Sequence, residues 1–154
     1  VVETKNRDGI KDSIISEENT FFDGPMVTIV NKGTASASEI LAGALQDNKR
    51  SVLIGKQTYG KGLIQSLKSL NENSGIAITV ASYLTPQGNN IQGRGIQPDK
   101  ILDLPEAKDF GNSDDKWVKD AEIYLNSLLD KSNNPEEIDN YPHEALKKEK
   151  DFDS

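Results

Sequence analysis

The stretch Gly33–Gln65, GTASASEILAGALQDNKRSVLIGKQTYGKGLIQ, decides how the chain is read. Ser36 stands at the head of an amphipathic run in which Ala37, Ile40, Leu41, Ala44 and Leu45 recur at helical spacing, so a helix with that stripe facing the core is expected. Ser36 and Glu39 fit the S-x-x-E pattern of a capped helix start, and Asp47-Asn48 marks its end. SVLIG (51–55) follows as a short apolar strand, and MVTIV (26–30) precedes the helix as another; both read as strands buried on two faces. Strand, helix, strand at this spacing is a βαβ unit with parallel strands.

Working outward, VVETKNRDGIKDSIISEENT (1–20) reads as two charged strands about a turn at Asp8-Gly9, a surface hairpin at a sheet edge. LIQSLKSL (63–70) and IAITVASYLT (76–85) flank the turn-rich NENSG and form a second hairpin. Pro86–Asp99 is rich in Gly and Pro and reads as a loop, with ILDL (101–104) as a last short strand. Ser113-Asp114-Asp115 opens a second helix with Trp117, Ala121, Tyr124, Leu125 and Leu128 on one face, and acids in its first turn suit the helix dipole. From Lys131 the chain is polar and is expected to be disordered.

Bulk properties narrow the chemistry. The 154 residues suit one modest core, and an apolar fraction of 34% with mean hydropathy −0.61 suggests a packed part with a polar appendage. No run approaches the roughly 18 apolar residues of a transmembrane helix. The absence of cysteine removes disulfides, thiolate nucleophiles and thiolate metal sites. A net charge of −7 argues against a nucleic-acid partner. The single histidine, His143, lies in the polar tail, which leaves neither a histidine base nor a plausible zinc site. The chain opens on Val1 inside an expected strand and reads as a piece of a longer protein.

With histidine and cysteine set aside, a serine nucleophile needs another base. Ser36 is flanked by Gly33, Ala35 and Ala37, small enough for a substrate backbone to come close, and a helix N-terminus offers free N–H groups to an oxyanion. An N-capping serine is the plain alternative, contributing about 1 kcal/mol. A lysine can act as base only when its amine is neutral; bringing any lysine to neutrality at working pH takes about 4 kcal/mol of lost solvation, hence burial. Lys61 has Tyr59 and Leu63 nearby and Gly60 and Gly62 beside it, which let backbones close around it; Lys56 lacks those flanks. The plain alternative for Lys61 is a solvated loop lysine. A competing reading takes GKQTYGKG (55–62) as a phosphate-binding loop, but Gly62 replaces the hydroxyl that would hold magnesium and a strand, not a helix, follows.

The segment NKGTASASEILAGALQDNKRSVLIGKQTYGKGLIQSL resembles the catalytic segment of the carboxyl-terminal processing peptidases, the tail-specific Ser–Lys proteases, and is most similar to cyanobacterial and plastid members. The resemblance runs from about Asp23 through SYLTPQGNNIQGRGIQPD. It implies an α/β fold: part of a ClpP/crotonase-like core, a βαβ unit plus a β-hairpin, with a C-terminal helix and polar tail. It divides the chain into 1–105 (the C-terminal part of the peptidase core), 106–130 (an appended helix) and 131–154 (the tail).

By the same resemblance Ser36 is the nucleophile, Lys61 the general base and Gln65 the hydrogen-bond partner of Lys61. Asp47 is a supporting acid, with Gly60 and Gly62 also supporting. The backbone N–H of Ala37 serves as an oxyanion donor, and neither metal nor cofactor is required. The implied partners are protein substrates presenting C-terminal tails, among them the photosystem II reaction-centre precursor, in a periplasm or thylakoid lumen; membrane association would come only through other parts of the parent. The family's PDZ domain and upstream half-core, with a second oxyanion donor, lie outside residues 1–154. The piece alone is therefore expected to leave Lys61 unburied and to be inactive. A non-catalytic binding or scaffold module of the same fold is the alternative.

Overall fold

The computed structural model describes residues 1–17, 21–103, 110–112 and 114–133. Its elements are β1 (Val2–Asn6), β2 (Gly9–Ile14), β3 (Val27–Val30), α1 (Ala37–Asp47), β4 (Val52–Gly55), β5 (Leu63–Asn71), β6 (Ser74–Leu84), β7 (Lys100–Ile101) and α2 (Lys116–Asn133). The strands form two sheets, ordered β2-β1-β6-β5 and β3-β4-β7.

The parallel sheet carries the core. Val27–Val30 pairs in register with Val52–Gly55, and Ile54 and Gly55 pair with Lys100 and Ile101. Successive side chains of β4 point to opposite faces, so Leu53 and Ile54, both fully buried, belong to different clusters. Leu53 joins Val30, Ala42, Ile91 and Ile96 beneath α1. Ile54 joins Leu102, Trp117 and Ala121 beneath α2. The parallel pairing of β3 and β4 with α1 over one face is the expected βαβ unit, and α2 covers the opposite face. Burial on two faces holds for β4 but not for β3, which ends the sheet among the described residues and leaves Ile29 38% exposed.

α1 has the expected bounds but presents a different face. Glu39, Ala42, Gly43 and Ala44 are buried and Ile40 packs on the core, whereas Leu41 is 59% exposed and Ala37 is exposed. The cause is close approach of the 85–96 segment. A Cβ at Gly43 would stand 3.0 Å from both Ile96 Cδ1 and Thr85 Cγ2, so small residues rather than Leu41 must face it. That segment is a loop, as expected, but it inserts Ile91 and Ile96 into the core. Asp47 fastens it from the end of α1: its Oδ2 accepts the Gln87 N–H at 2.8 Å.

Both hairpins form, and they join. β5 and β6 pair antiparallel from Leu63↔Ser82 to Asn71↔Ser74. β1 pairs with β2 on one side and, through Glu3↔Leu84 to Lys5↔Ser82, with β6 on the other. The charged N-terminal hairpin therefore has only β2 at the edge; β1 lies inside the sheet.

α2 carries Trp117 and Ala121 buried, with Tyr124, Leu125 and Leu128 half-buried, on its expected face. The acids precede the first turn rather than occupy it. Asp115 caps the helix: Oδ1 accepts the Trp117 N–H at 2.9 Å and Oδ2 the Gly111 N–H at 3.0 Å. The helix runs to Asn133, past the expected start of the tail; Ser113, residues 104–109 and the rest of the tail lie outside the described residues.

Two outcomes are expected. In urea denaturation Leu53→Ala lowers stability by about 2–5 kcal/mol, while Leu41→Ala changes it by less than about 0.5 kcal/mol; equal losses would contradict the orientation of α1. The Gly111 N–H, seconded by those of Trp117 and Val118 against an opposing effect of burial, holds the Asp115 carboxyl below its ordinary value of 3.8. A depressed folded-state value means that this stabilisation is present above the ordinary carboxylate range and lost as pH falls through the lower folded value. Acid titration followed by fluorescence of Trp117, the one tryptophan, should show a transition below pH 3.8 that Asp115→Asn removes.

Candidate active site

Ser36 and Lys61 arrive on two loops that leave adjacent parallel strands. β3 ends at Val30, and Asn31 to Ala35 lead to Ser36 at the start of α1. Within that loop Thr34 N–H bonds Asn31 O at 2.9 Å and Asn31 N–H bonds Thr34 Oγ1 at 3.1 Å. β4 ends at Gly55, and Lys56 to Gly62 lead into β5. The loops touch through their backbones, Tyr59 N–H donating to Thr34 O at 2.9 Å.

Glu39 joins them more firmly. Its side chain is fully buried, and four donors converge on it. Oε1 accepts Thr58 Oγ1 at 2.5 Å and Gly60 N–H at 2.6 Å. Oε2 accepts Lys61 N–H at 2.8 Å and Ser36 N–H at 2.9 Å. Four donors on two oxygens is a pattern that a carboxylate satisfies and that offsets the heavy cost of burying it. Because Ser36 and Lys61 share one oxygen, their peptide nitrogens can be no further apart than those two bonds laid end to end. The S-x-x-E pattern was legible as a helix cap; its reach to residues 58, 60 and 61 was not.

Ser36 has φ 57° and ψ −120°. A non-glycine residue in that region carries strain of order 1–3 kcal/mol and persists only when its surroundings hold it. Here Glu39 grips its N–H while its carbonyl accepts the N–H groups of Glu39 (2.9 Å) and Ile40 (3.1 Å). The next N–H, that of Ala37, donates to no acceptor among the described residues, as a free donor at a helix N-terminus does.

Gly60 and Gly62 let backbones close in, and the partner is the 91–95 segment. A Cβ at Gly60 would stand 2.9 Å from Gly95 N, and one at Gly62 the same distance from Gln92 N. Gly60 O accepts the Gly93 N–H and Gln92 Oε1 the Gly62 N–H, both at 2.9 Å. Thr58 completes the clasp, its Oγ1 accepting the Ile96 N–H at 2.7 Å. Thr58 and Gln92 were not singled out from sequence; a polar residue three places before Lys61 was the one available sign.

Lys61 and Gln65 line a cleft of about 580 Å³ together with Gly33, Ala35, Tyr59 and Gln92. Both are exposed, and no hydrogen bond joins their side chains to each other or to Ser36 Oγ among the described residues. The exposure of Lys61 matches the expectation for this piece alone. Asp47 lies at the far end of α1, engaged with Gln87. The phosphate-loop reading fails on geometry: the Gly60 and Lys61 N–H groups already serve Glu39, and β5 follows. Among the described residues no cluster has the makings of a metal site, and no helix is long and apolar enough to cross a membrane.

A strained serine at a helix head and a lysine loop bound to the same buried carboxylate are set in a sequence that falls within one family: residues 1–102 match Peptidase family S41, and the chain belongs to it. It is 53% identical over 105 residues to a carboxyl-terminal-processing protease of Synechocystis sp., covering 68% of this chain and 25% of that protein. It is 50% identical over 96 residues to a chloroplastic C-terminal processing peptidase of Tetradesmus obliquus, covering 62% and 21%. Among solved structures, a photosystem II D1 C-terminal processing protease superposes with TM-score 0.63 at 48% identity, over 66% of this chain and 27% of that one. The chain thus spans about a quarter of the length of these relatives.

Glu39→Gln places an amide N–H₂ against backbone donors and is expected to cost about 3 kcal/mol; Thr58→Val, which removes one donor and one acceptor, is expected to cost about 1–3 kcal/mol. Chemical denaturation of both variants checks this, and wild-type stability for Glu39→Gln would contradict the clasp.

Proposed function

We propose that the chain is the C-terminal part of the core of a serine endopeptidase that cleaves proteins near their C-termini with a Ser–Lys dyad. The observation that carries this reading is the shared Glu39 carboxylate, which holds the backbones of Ser36 and Lys61 beside one another. In the complete molecule the neutral Lys61 amine takes the Ser36 proton as Oγ attacks a peptide carbonyl carbon. The negative charge developing on the carbonyl oxygen is met by the Ala37 N–H. When the carbon–nitrogen bond breaks, the Lys61 ammonium returns its proton to the departing amine, and water, activated by the same lysine, releases the acyl group from Ser36. Gln65, on the same cleft, orients the amine; Gly60 and Gly62 admit the 91–95 backbone; Asp47 supports by fastening the 87 turn.

The names of the relatives, which print C-terminal processing, photosystem II D1 and the chloroplast, support protein substrates processed at the C-terminus, with photosystem II D1 among them; a periplasmic or lumenal setting is part of the same proposal. Lys61 is exposed here, and the 580 Å³ cleft is open. Upstream segments must therefore dry the amine, and residues 1–154 alone are inactive. That exposure is also the observation favouring the second reading, a non-catalytic binding or scaffold module of the same fold.

In the full-length parent, Ser36→Ala, Lys61→Ala and Lys61→Arg should each lower cleavage of a peptide substrate by at least about a thousandfold, with folding intact. The arginine variant fails because a guanidinium keeps its proton. Turnover like the wild type's in any of the three would contradict the dyad, absence of cleavage by the wild-type parent would favour the scaffold reading, and cleavage by residues 1–154 alone would contradict the need for upstream segments.

A further inference from the structure

α2 lies outside the residues that match the family, and the Ser36–Lys61 chemistry by itself asks for no helix there. Yet its first turn packs at the root of the lysine loop. Trp117 is 3% exposed and sits with Ile54, Leu102 and Ala121. Gly55, where β4 gives way to that loop, has φ +128°; a Cβ there would stand 2.0 Å from Val30 O and 3.0 Å from Trp117 Cζ3. The indole thus closes over a position that has no side chain. At the same point Val30 O accepts the Lys56 N–H at 2.9 Å, and the Lys56 ammonium lies 5.5 Å from the indole centroid, within cation–π range.

The same turn also backs the serine loop. Trp117, Val118 and Asp115 face Ile29, Asn31 and Thr34 across a cavity of about 300 Å³. Thr34 O is in turn the acceptor of Tyr59 N–H, so α2 abuts the exits of both strands and the point where their loops meet. The Asp115 carboxylate, bonded to Gly111 and Trp117 N–H, anchors the turn that presents the indole.

We propose that Trp117 is a positioning residue for the Ser–Lys site: by filling the space over Gly55 it sets the direction in which the chain leaves β4, and so where Lys61 stands relative to Ser36. The inference rests on the dyad reading. Its leverage is geometric, since a misplacement of about 1 Å in a reacting group can cost on the order of a hundredfold in rate.

The test uses the full-length parent carrying Trp117→Leu and Trp117→Phe, with two readouts: the amide resonances of Lys56–Lys61, and kcat and KM on a peptide substrate. Trp117→Leu should move those resonances, leave those of the β5–β6 hairpin in place, and lower kcat at least about tenfold with KM within about twofold. Trp117→Phe, which keeps a ring over Gly55, should show the same changes in smaller measure. A folded Leu variant with unmoved lysine-loop amides, or with unchanged kcat, overturns the proposal. If the Leu variant does not fold, wild-type values for the Phe variant in either readout overturn it, and shifts in both support it. Wild-type turnover that survives Ser36→Ala would instead overturn the dyad while leaving the amide shifts to report on Trp117.

Discussion

A single buried carboxylate holds the loops that carry Ser36 and Lys61 together. Glu39 belongs to α1, yet three of its four partners lie on or lead into the lysine loop, and the fourth is the N–H of Ser36. Burying a carboxylate costs several kcal/mol unless every lone pair is engaged. The donors therefore cannot drift away independently. If Gly60 or Lys61 turned its N–H elsewhere, part of that cost would return, so the loop keeps its conformation because the charge beneath it needs satisfying.

The same constraint explains two features that would otherwise be liabilities. Ser36 sits in a strained backbone region, held by bonds at both its N–H and its carbonyl. Strain of a few kcal/mol is tolerable where surrounding bonds over-determine it. The glycines of the lysine loop serve the other side of the clasp. Gly60 and Gly62 bring the 91–95 backbone to near contact, and Thr58 ties Ile96 to Glu39 through one hydroxyl. Loop, helix head and the 91–96 segment thus form one unit resting on β4.

Much of this fold could be read from residue order because it depends on local periodicity. The apolar runs at 26–30 and 51–55, the helical spacing between them and the turn residues at 71–75 each specify an element without reference to distant parts. What could not be read depends on which segments meet. Leu41 looks like a core residue until the 85–96 loop packs on Gly43 and turns α1 so that Ala42 faces inward. The charged N-terminal hairpin looks like an edge until β1 pairs with Ser82–Leu84. Loop composition at 86–99 gives no hint that Ile91 and Ile96 fill the core. At the site, the motif drew attention to Ser36, Lys61 and Gln65, the residues with reactive or amide side chains. The residue that brings the loops together, Glu39, passed as a helix cap because its other partners lie 19 to 22 positions away.

Hydrogen exchange of individual backbone amides tests the central role of Glu39 most directly. In the folded protein at neutral pH the Ser36, Gly60 and Lys61 amides should exchange as slowly as those of the β3–β4 ladder, and Glu39→Ala should release all three together while that ladder stays protected. Exchange of these amides at the rate of an open loop in the wild-type protein, or their release one at a time, would contradict the account.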